Sequence, residues 1–128
     1  MKLLLDTHAF IWMDRQPERL PSKVFEACSD GENDLFLSVA SVWEMQIKLA
    51  LGKLQFSRPL RQVVEDQCAN GIVILPVKLA HMWRLAEVPP IHGDPFDRML
   101  IAQSMDEDLH FVSGDAVLRN YPIKLFWK

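Results

Sequence analysis

Leu3-Leu4-Leu5-Asp6-Thr7 decides the architecture. Three consecutive leucines put apolar side chains on both sides of an extended chain, a pattern needed by a strand that is covered on both faces. The aspartate then ends the apolar run at the strand's carboxyl end. Comparable runs recur at Leu35-Leu37, Ile72-Leu75, Leu109-Val112 and Lys124-Trp127, with helix-length segments between most of them. Buried strands alternating with helices predict a three-layer α/β/α domain with a mostly parallel sheet of four or five strands. The helices are punctuated by their breakers. Pro21-Ser22 opens one that Gly31 closes, Gly52 follows Val42–Leu51, and Pro59 and Gly71 bracket another. Val77–Glu87 is stopped by Pro89-Pro90, and Asp94-Pro95 opens a helix running through Ser104.

The remaining bounds come from size and composition. A chain of 128 residues fills one domain, expected over 1–128. With 49% hydrophobic and 24% charged residues it suits a globular fold and excludes disorder, collagen-like repeats and coiled coil. The formal charge of −3 gives no bulk attraction for nucleic acid. Cys28 and Cys68 are too few for a disulfide scaffold and lack CxxC spacing, so a cytoplasmic setting is expected, with both as small buried hydrophobes. Asp6 breaks the apolar start before a signal sequence forms. The longest apolar run, Ile72 to Val77, is far below the ~20 residues of a membrane span, so no membrane association is expected.

In open α/β sheets the ligand site lies beyond the carboxyl ends of the strands. Asp6 follows the first strand there, and Asp115 follows the fourth through Ser113-Gly114. Glu44 lies on the helix after the second strand, and Asp97 one turn inside the helix opened by Asp94-Pro95. Each acid also has a local use. Asp6 and Asp115 suit turns or caps, Ser41-Val42-Trp43-Glu44 fits the S-x-x-E capping box, and Asp94 with Asp97 suits a helix start. Local uses do not account for four acids distributed to converge on one sheet edge. Carboxylates gathered in a pocket repel one another unless a cation neutralises them, and an all-oxygen set suits Mg²⁺ or Mn²⁺ better than Zn²⁺. Such ions stabilise phosphodiester displacement, which makes a metal-dependent nuclease the apt chemistry. With the four acids set aside, the formal charge moves from −3 to +1, which does not repel a polyanion.

These residues resemble PIN-domain ribonucleases, specifically the toxin half of VapBC-type toxin–antitoxin pairs. The resemblance runs through Leu3-Leu4-Leu5-Asp6-Thr7-His8, Ser38-Val39-Ala40-Ser41-Val42-Trp43-Glu44 and Lys48-Leu49. It continues in His92-Gly93-Asp94-Pro95-Phe96-Asp97-Arg98-Met99-Leu100-Ile101-Ala102-Gln103 and closes with Phe111-Val112-Ser113-Gly114-Asp115. It implies that Asp6, Glu44, Asp97 and Asp115 form the catalytic pocket holding Mg²⁺ or Mn²⁺, with Thr7 and Ser113 supporting it. Where the family commonly has Thr-x-Asp, Ser113 keeps the hydroxyl. Asp94 is expected to cap its helix behind the acids, and Arg98 to contact phosphate, pair with an acid or stay solvated. His8 and His92 are expected to hydrogen-bond loops, His81 and His110 to be structural. The resemblance further implies an RNA substrate, a homodimer, and a groove for a small VapB-like antitoxin that delivers a basic side chain to the acids.

Trp43, Ile47, Ala50 and Leu51 fall at helical spacing and are expected to pack in the core or against another subunit. Trp12, Met13, Trp83 and Trp127 are assigned to packing with no RNA role. A second class of function is a non-catalytic PIN-like module that uses its acids only to dock a basic partner segment; the full set of acids and hydroxyls weighs against it. A phosphoryl-accepting receiver is disfavoured because Pro76 follows Ile72-Leu75, and a dehalogenase-like phosphatase because Asp6-Thr7-His8 lacks its Asp-x-Asp.

Overall fold

A computed structural model describes all residues, 1–128. Its five strands are β1 (Lys2–Leu5), β2 (Asp34–Ser38), β3 (Val73–Leu75), β4 (His110–Val112) and β5 (Lys124–Phe126). They form one sheet in the order β3-β2-β1-β4-β5, and every neighbouring pair is parallel. The helices are α1 (Thr7–Arg15), α2 (Ser22–Ser29), α3 (Val39–Ala50), α4 (Leu60–Ala69), α5 (Leu79–Leu85) and α6 (Pro95–Asp106). The expected α/β/α class is therefore found, with the sheet wholly parallel. No helix is long and apolar enough to cross a membrane.

The leucine run behaves as strand geometry demands, because successive side chains point to opposite faces. Leu3 and Leu5 enter a cluster with Phe10, Val24, Met45 and Val63 from α1, α2, α3 and α4. Leu4 enters a second cluster on the other side, with Leu100 and Ile101 of α6 and Phe111 of β4. The central strand is thus sealed on both faces, and its three leucines are at most 1% exposed. Cys28 and Cys68 are only half-buried, short of the full burial expected of them. Trp43 and Ile47 of α3, and Leu51 just after it, are exposed and not in the core.

Several boundaries differ from the expectation. α1 has no counterpart in it; the N-terminal cap is Asp6, whose carboxylate accepts from the Ala9 amide at 2.6 Å. α3 starts at Val39 instead of Val42, because the capping residue is Ser38, whose hydroxyl accepts from the Ala40 amide. The Ser41–Glu44 capping box is therefore not formed, and both side chains lie within the helix. α5 is shorter than Val77–Glu87, and α6 runs to Asp106, past Ser104. Gly71 does close the segment after α4, with φ +109°. Asp94 caps α6, its carboxylate accepting from the Phe96 and Asp97 amides.

Candidate active site

The strand order reverses at β1: β2 lies on one side and β4 on the other, so a crevice opens between the carboxyl ends of β1 and β4. The Asp6 amide donates to the Val112 carbonyl at 3.0 Å, extending the ladder by one residue and fixing Asp6 at that mouth. Ser113, 1% exposed, follows β4 directly. Its oxygen accepts from the Asp115 amide at 3.2 Å, and its hydroxyl hydrogen-bonds the Asp6 carboxylate. One hydroxyl therefore ties together the acids that follow the two central strands. Asp115 in turn caps a short 3₁₀ turn, Ala116–Asn120, through the Val117 amide.

Thr7 performs the matching task on the α3 side. Its oxygen lies 2.6 Å from Glu44 Oε1 and 3.1 Å from the Ser41 hydroxyl. With its single proton donated to the carboxylate, Thr7 accepts from Ser41. Lys48, one turn along α3, holds the other Glu44 oxygen at 3.0 Å. Lys48 and Ser41 are not among the site residues expected from the sequence; the i, i+4 spacing of Glu44 and Lys48 was the available signal.

Asp97 closes the pocket from α6, whose first turn meets α3 where Trp43 and Phe96 pack edge to face at 5.3 Å. Burial pushes its carboxyl up to about 7, and the charges of Asp94, Asp6, Glu44 and Asp115 push the same way. The other three acids singled out in the sequence thus all lie within electrostatic reach of Asp97. Burial also raises the Asp6 carboxyl, against the pull of Ser113, Ala9 and His8. Asp6 and Glu44 are each 7% exposed, while Asp115 and Asp94 stand open to solvent.

The donor set is carboxylate oxygen throughout, which fits a hard divalent cation. No three of these acids bring ligand oxygens within 4.8 Å of one another, a separation achieved only by His81, Asp106 and Glu107. The wider spacing fits Mg²⁺, which keeps several waters and takes one or two carboxylates directly. The tighter His81 group does not fit a metal. His81 Nδ1 accepts from the Lys78 amide at 2.9 Å, so Nε2 carries the proton and donates to Glu107 at 2.9 Å. Ligation at Nε2 would displace that proton while Nδ1 remains bound to a donor. The residue is 0% exposed and serves to join α5 to the end of α6, the structural role expected of it.

The remaining polar residues border the pocket or lie away from it. The Arg98 guanidinium donates to the carbonyls of Val88, Pro89 and His92, and pairs with no acid. It tethers the 88–92 loop, a role not among those anticipated for it. His92 shares that loop: its Nδ1 accepts from the Asp94 amide, its own amide donates to the Tyr121 hydroxyl, and Nε2 faces Asp97 at 3.8 Å. His8 is exposed beside Trp12, and His110 lies half-buried in β4. Arg58 joins Asp14 to Asp66 and so holds α4 on α1.

A parallel five-stranded α/β/α fold with a carboxylate pocket at its switch point defines a class of acidic-site domains. Within that class the chain belongs to the PIN domain family, whose model matches residues 3–124. It is similar to Ribonuclease VapC22 of Mycobacterium tuberculosis (strain ATCC 25618 / H37Rv), 27% identical over 123 residues that cover 93% of this chain and 91% of that protein. Among solved structures it resembles VapBC2 from Rickettsia felis bound to a DNA fragment from its promoter, with a TM-score of 0.71, 14% identity and all of both chains covered. DNA-bound VapBC from Salmonella typhimurium gives a TM-score of 0.71 at 16% identity, over 98% of this chain and 97% of that one. These structural likenesses concern the fold.

Proposed function

We propose that the chain, acting as a single domain over residues 1–128, is a metal-dependent endoribonuclease and the toxin of a type II toxin–antitoxin pair in the cytoplasm. The supporting observation is the convergence on Asp97, which is half-buried and whose carboxyl is raised by that burial and by the charges of Asp94, Asp6, Glu44 and Asp115. A cation would relieve the repulsion among carboxylates held this way. Asp6, Glu44, Asp97 and Asp115 would hold Mg²⁺ or Mn²⁺, which when bound activates water and offsets charge on the phosphodiester oxygens. The chain's own part is positioning. Ser113 orients Asp6, Thr7 and Lys48 orient Glu44, and the Asp94 cap presents Asp97 on the first turn of α6. With its carboxyl raised to about 7, Asp97 is only partly charged near neutral pH, and a bound cation would favour its charged form.

The ribonuclease relative and the VapBC likenesses support a small antitoxin as partner. An acidic pocket receives a basic side chain well, since a guanidinium bonds two carboxylate oxygens at once. A second copy of the chain is the other partner proposed, and large apolar residues stand open to receive one, Trp43 and Leu51 on or just after α3 and Leu79 and Trp83 on α5. The test is cleavage of single-stranded and structured RNA with Mg²⁺ or Mn²⁺, then with EDTA. Cleavage that chelation abolishes, and that Asp6→Asn and Asp115→Asn each remove without unfolding, is the expected result. Cleavage unchanged after complete chelation overturns the metal role, and absence of cleavage with either ion favours the binding-module alternative.

A further inference from the structure

The acid chemistry leaves unused an aromatic and basic groove on the same sheet edge. Trp127, just beyond β5, lies against Gly114, where a Cβ would come within 2.7 Å of indole Cε2. The missing side chain at 114 lets the indole reach the segment between Ser113 and Asp115. Trp12 of α1 meets Trp127 at 6.0 Å between ring centroids, and His8 lies 6.4 Å from Trp12. The three rings line a cleft of about 340 Å³ together with Asp6, Gly114 and Asp115. A second cleft of about 220 Å³ shares Gly114, Asp115 and Trp127 with it and leads to Arg119 and Lys128. Both cations are exposed and neither is ion-paired, unlike Lys48, Arg58, Arg61, Arg84 and Lys124.

A groove with rings at its centre and free cations at one end suits single-stranded nucleic acid, because rings stack on any base and cations follow the phosphates. It also supplies what the carboxylates lack, a surface on which a base can stack. At the end lined by Arg119 and Lys128 a basic peptide is repelled and a phosphate attracted, so charge there favours the polynucleotide. We infer that the groove from Asp115 across Trp127 to Arg119 is a subsite for one unpaired nucleotide next to the scissile bond, its base stacked on Trp127 and its phosphate held by Arg119 and Lys128. The inference rests on the ribonuclease reading.

The test is equilibrium binding of an unstructured ten-nucleotide oligoribonucleotide, with Ca²⁺ in place of Mg²⁺, to wild type, Trp127→Ala, Trp127→Phe and Arg119→Gln. A parallel series carries one abasic nucleotide moved through every position. Trp127→Ala should weaken binding of the intact oligonucleotide roughly tenfold, in line with the loss of one stacked base, while Trp127→Phe keeps most of the affinity. The Trp127→Ala loss should vanish for the one register whose abasic site occupies the groove, and Arg119→Gln should flatten the salt dependence. Equal affinities of wild type and Trp127→Ala, a loss identical in every abasic register, or no wild-type binding would each overturn the subsite. So would an effect of Trp127→Ala confined to a basic, apolar peptide, which would give the groove to a protein partner. If Trp127→Ala fails to fold, Trp127→Phe and Arg119→Gln decide through the abasic register and the salt slope. Failure of RNA cleavage with Mg²⁺ and Mn²⁺ overturns the enzymatic reading separately, whatever the binding pattern.

Discussion

Asp97 and Thr7 are the residues whose chemistry has the clearest consequences. A carboxyl raised from its ordinary value of 3.8 to about 7 binds its proton more tightly in the folded chain than in the unfolded one. Its contribution to stability is therefore whole below pH 4 and is lost as pH rises through 7. Asp97→Asn removes that loss, so in EDTA it should raise the melting temperature more at pH 8 than at pH 5, and with Mg²⁺ present it should abolish cleavage. The gain at pH 8 should be about 1–2 kcal/mol, below full conversion of the shift because the carboxylate is partly screened by water. Thermal melts of both proteins at the two pH values check it; an equal difference at both would contradict the raised carboxyl. Thr7→Val is nearly isosteric and deletes the donor to Glu44. It should cost about 1–3 kcal/mol and lower cleavage, with Thr7→Ser restoring most of both, as read by denaturant unfolding and initial rates.

At the level of elements, Ser38 and Arg98 set where α3 and the loop before α6 begin. Ser38→Ala should destabilise the protein by about 1 kcal/mol through loss of the α3 cap, and Ser41→Ala should cost less because no cap depends on it; urea melts separate the two. Arg98→Lys replaces a planar fork by a point charge and should speed amide exchange in Val88–Gly93, with unchanged exchange in α3 as the control. The same elements mark where the sequence was legible. Strand positions could be seen because continuous Leu, Val and Ile runs have few uses other than a doubly covered strand, and Asp94-Pro95 marked α6 because Pro suits only a helix's first turn. α1 escaped notice because its first residues continue directly from β1 with no Gly or Pro between, and Asp6 serves as both site acid and helix cap. The start of α3 was misplaced because Ser38 and Ser41 are both reasonable caps in one dimension, and only the folded contacts, Ser38 with the Ala40 amide and Ser41 with Thr7, decide between them. The positions of the four acids were legible from strand and helix ends, whereas the Arg98 tether depended on a loop path that spacing does not encode.

For the molecule as a whole, cation binding should be visible as stability. Mn²⁺ at 100 times its dissociation constant should stabilise the native state by about 2.7 kcal/mol, and the effect should be strongly reduced in Asp6→Asn. A melting temperature indifferent to Mn²⁺ in the wild type would contradict a bound ion. The sheet order has a further effect, on the timing of synthesis. Leu4 of the central strand pairs with Phe36 on one side and with Phe111 on the other. That strand thus leaves the ribosome early and waits for nearly the whole chain before its second edge is covered. Contacts so distant along the chain make folding slow. A partly translated copy holds Asp6 and Glu44 without Asp115, so the four acids come together only when translation is almost done.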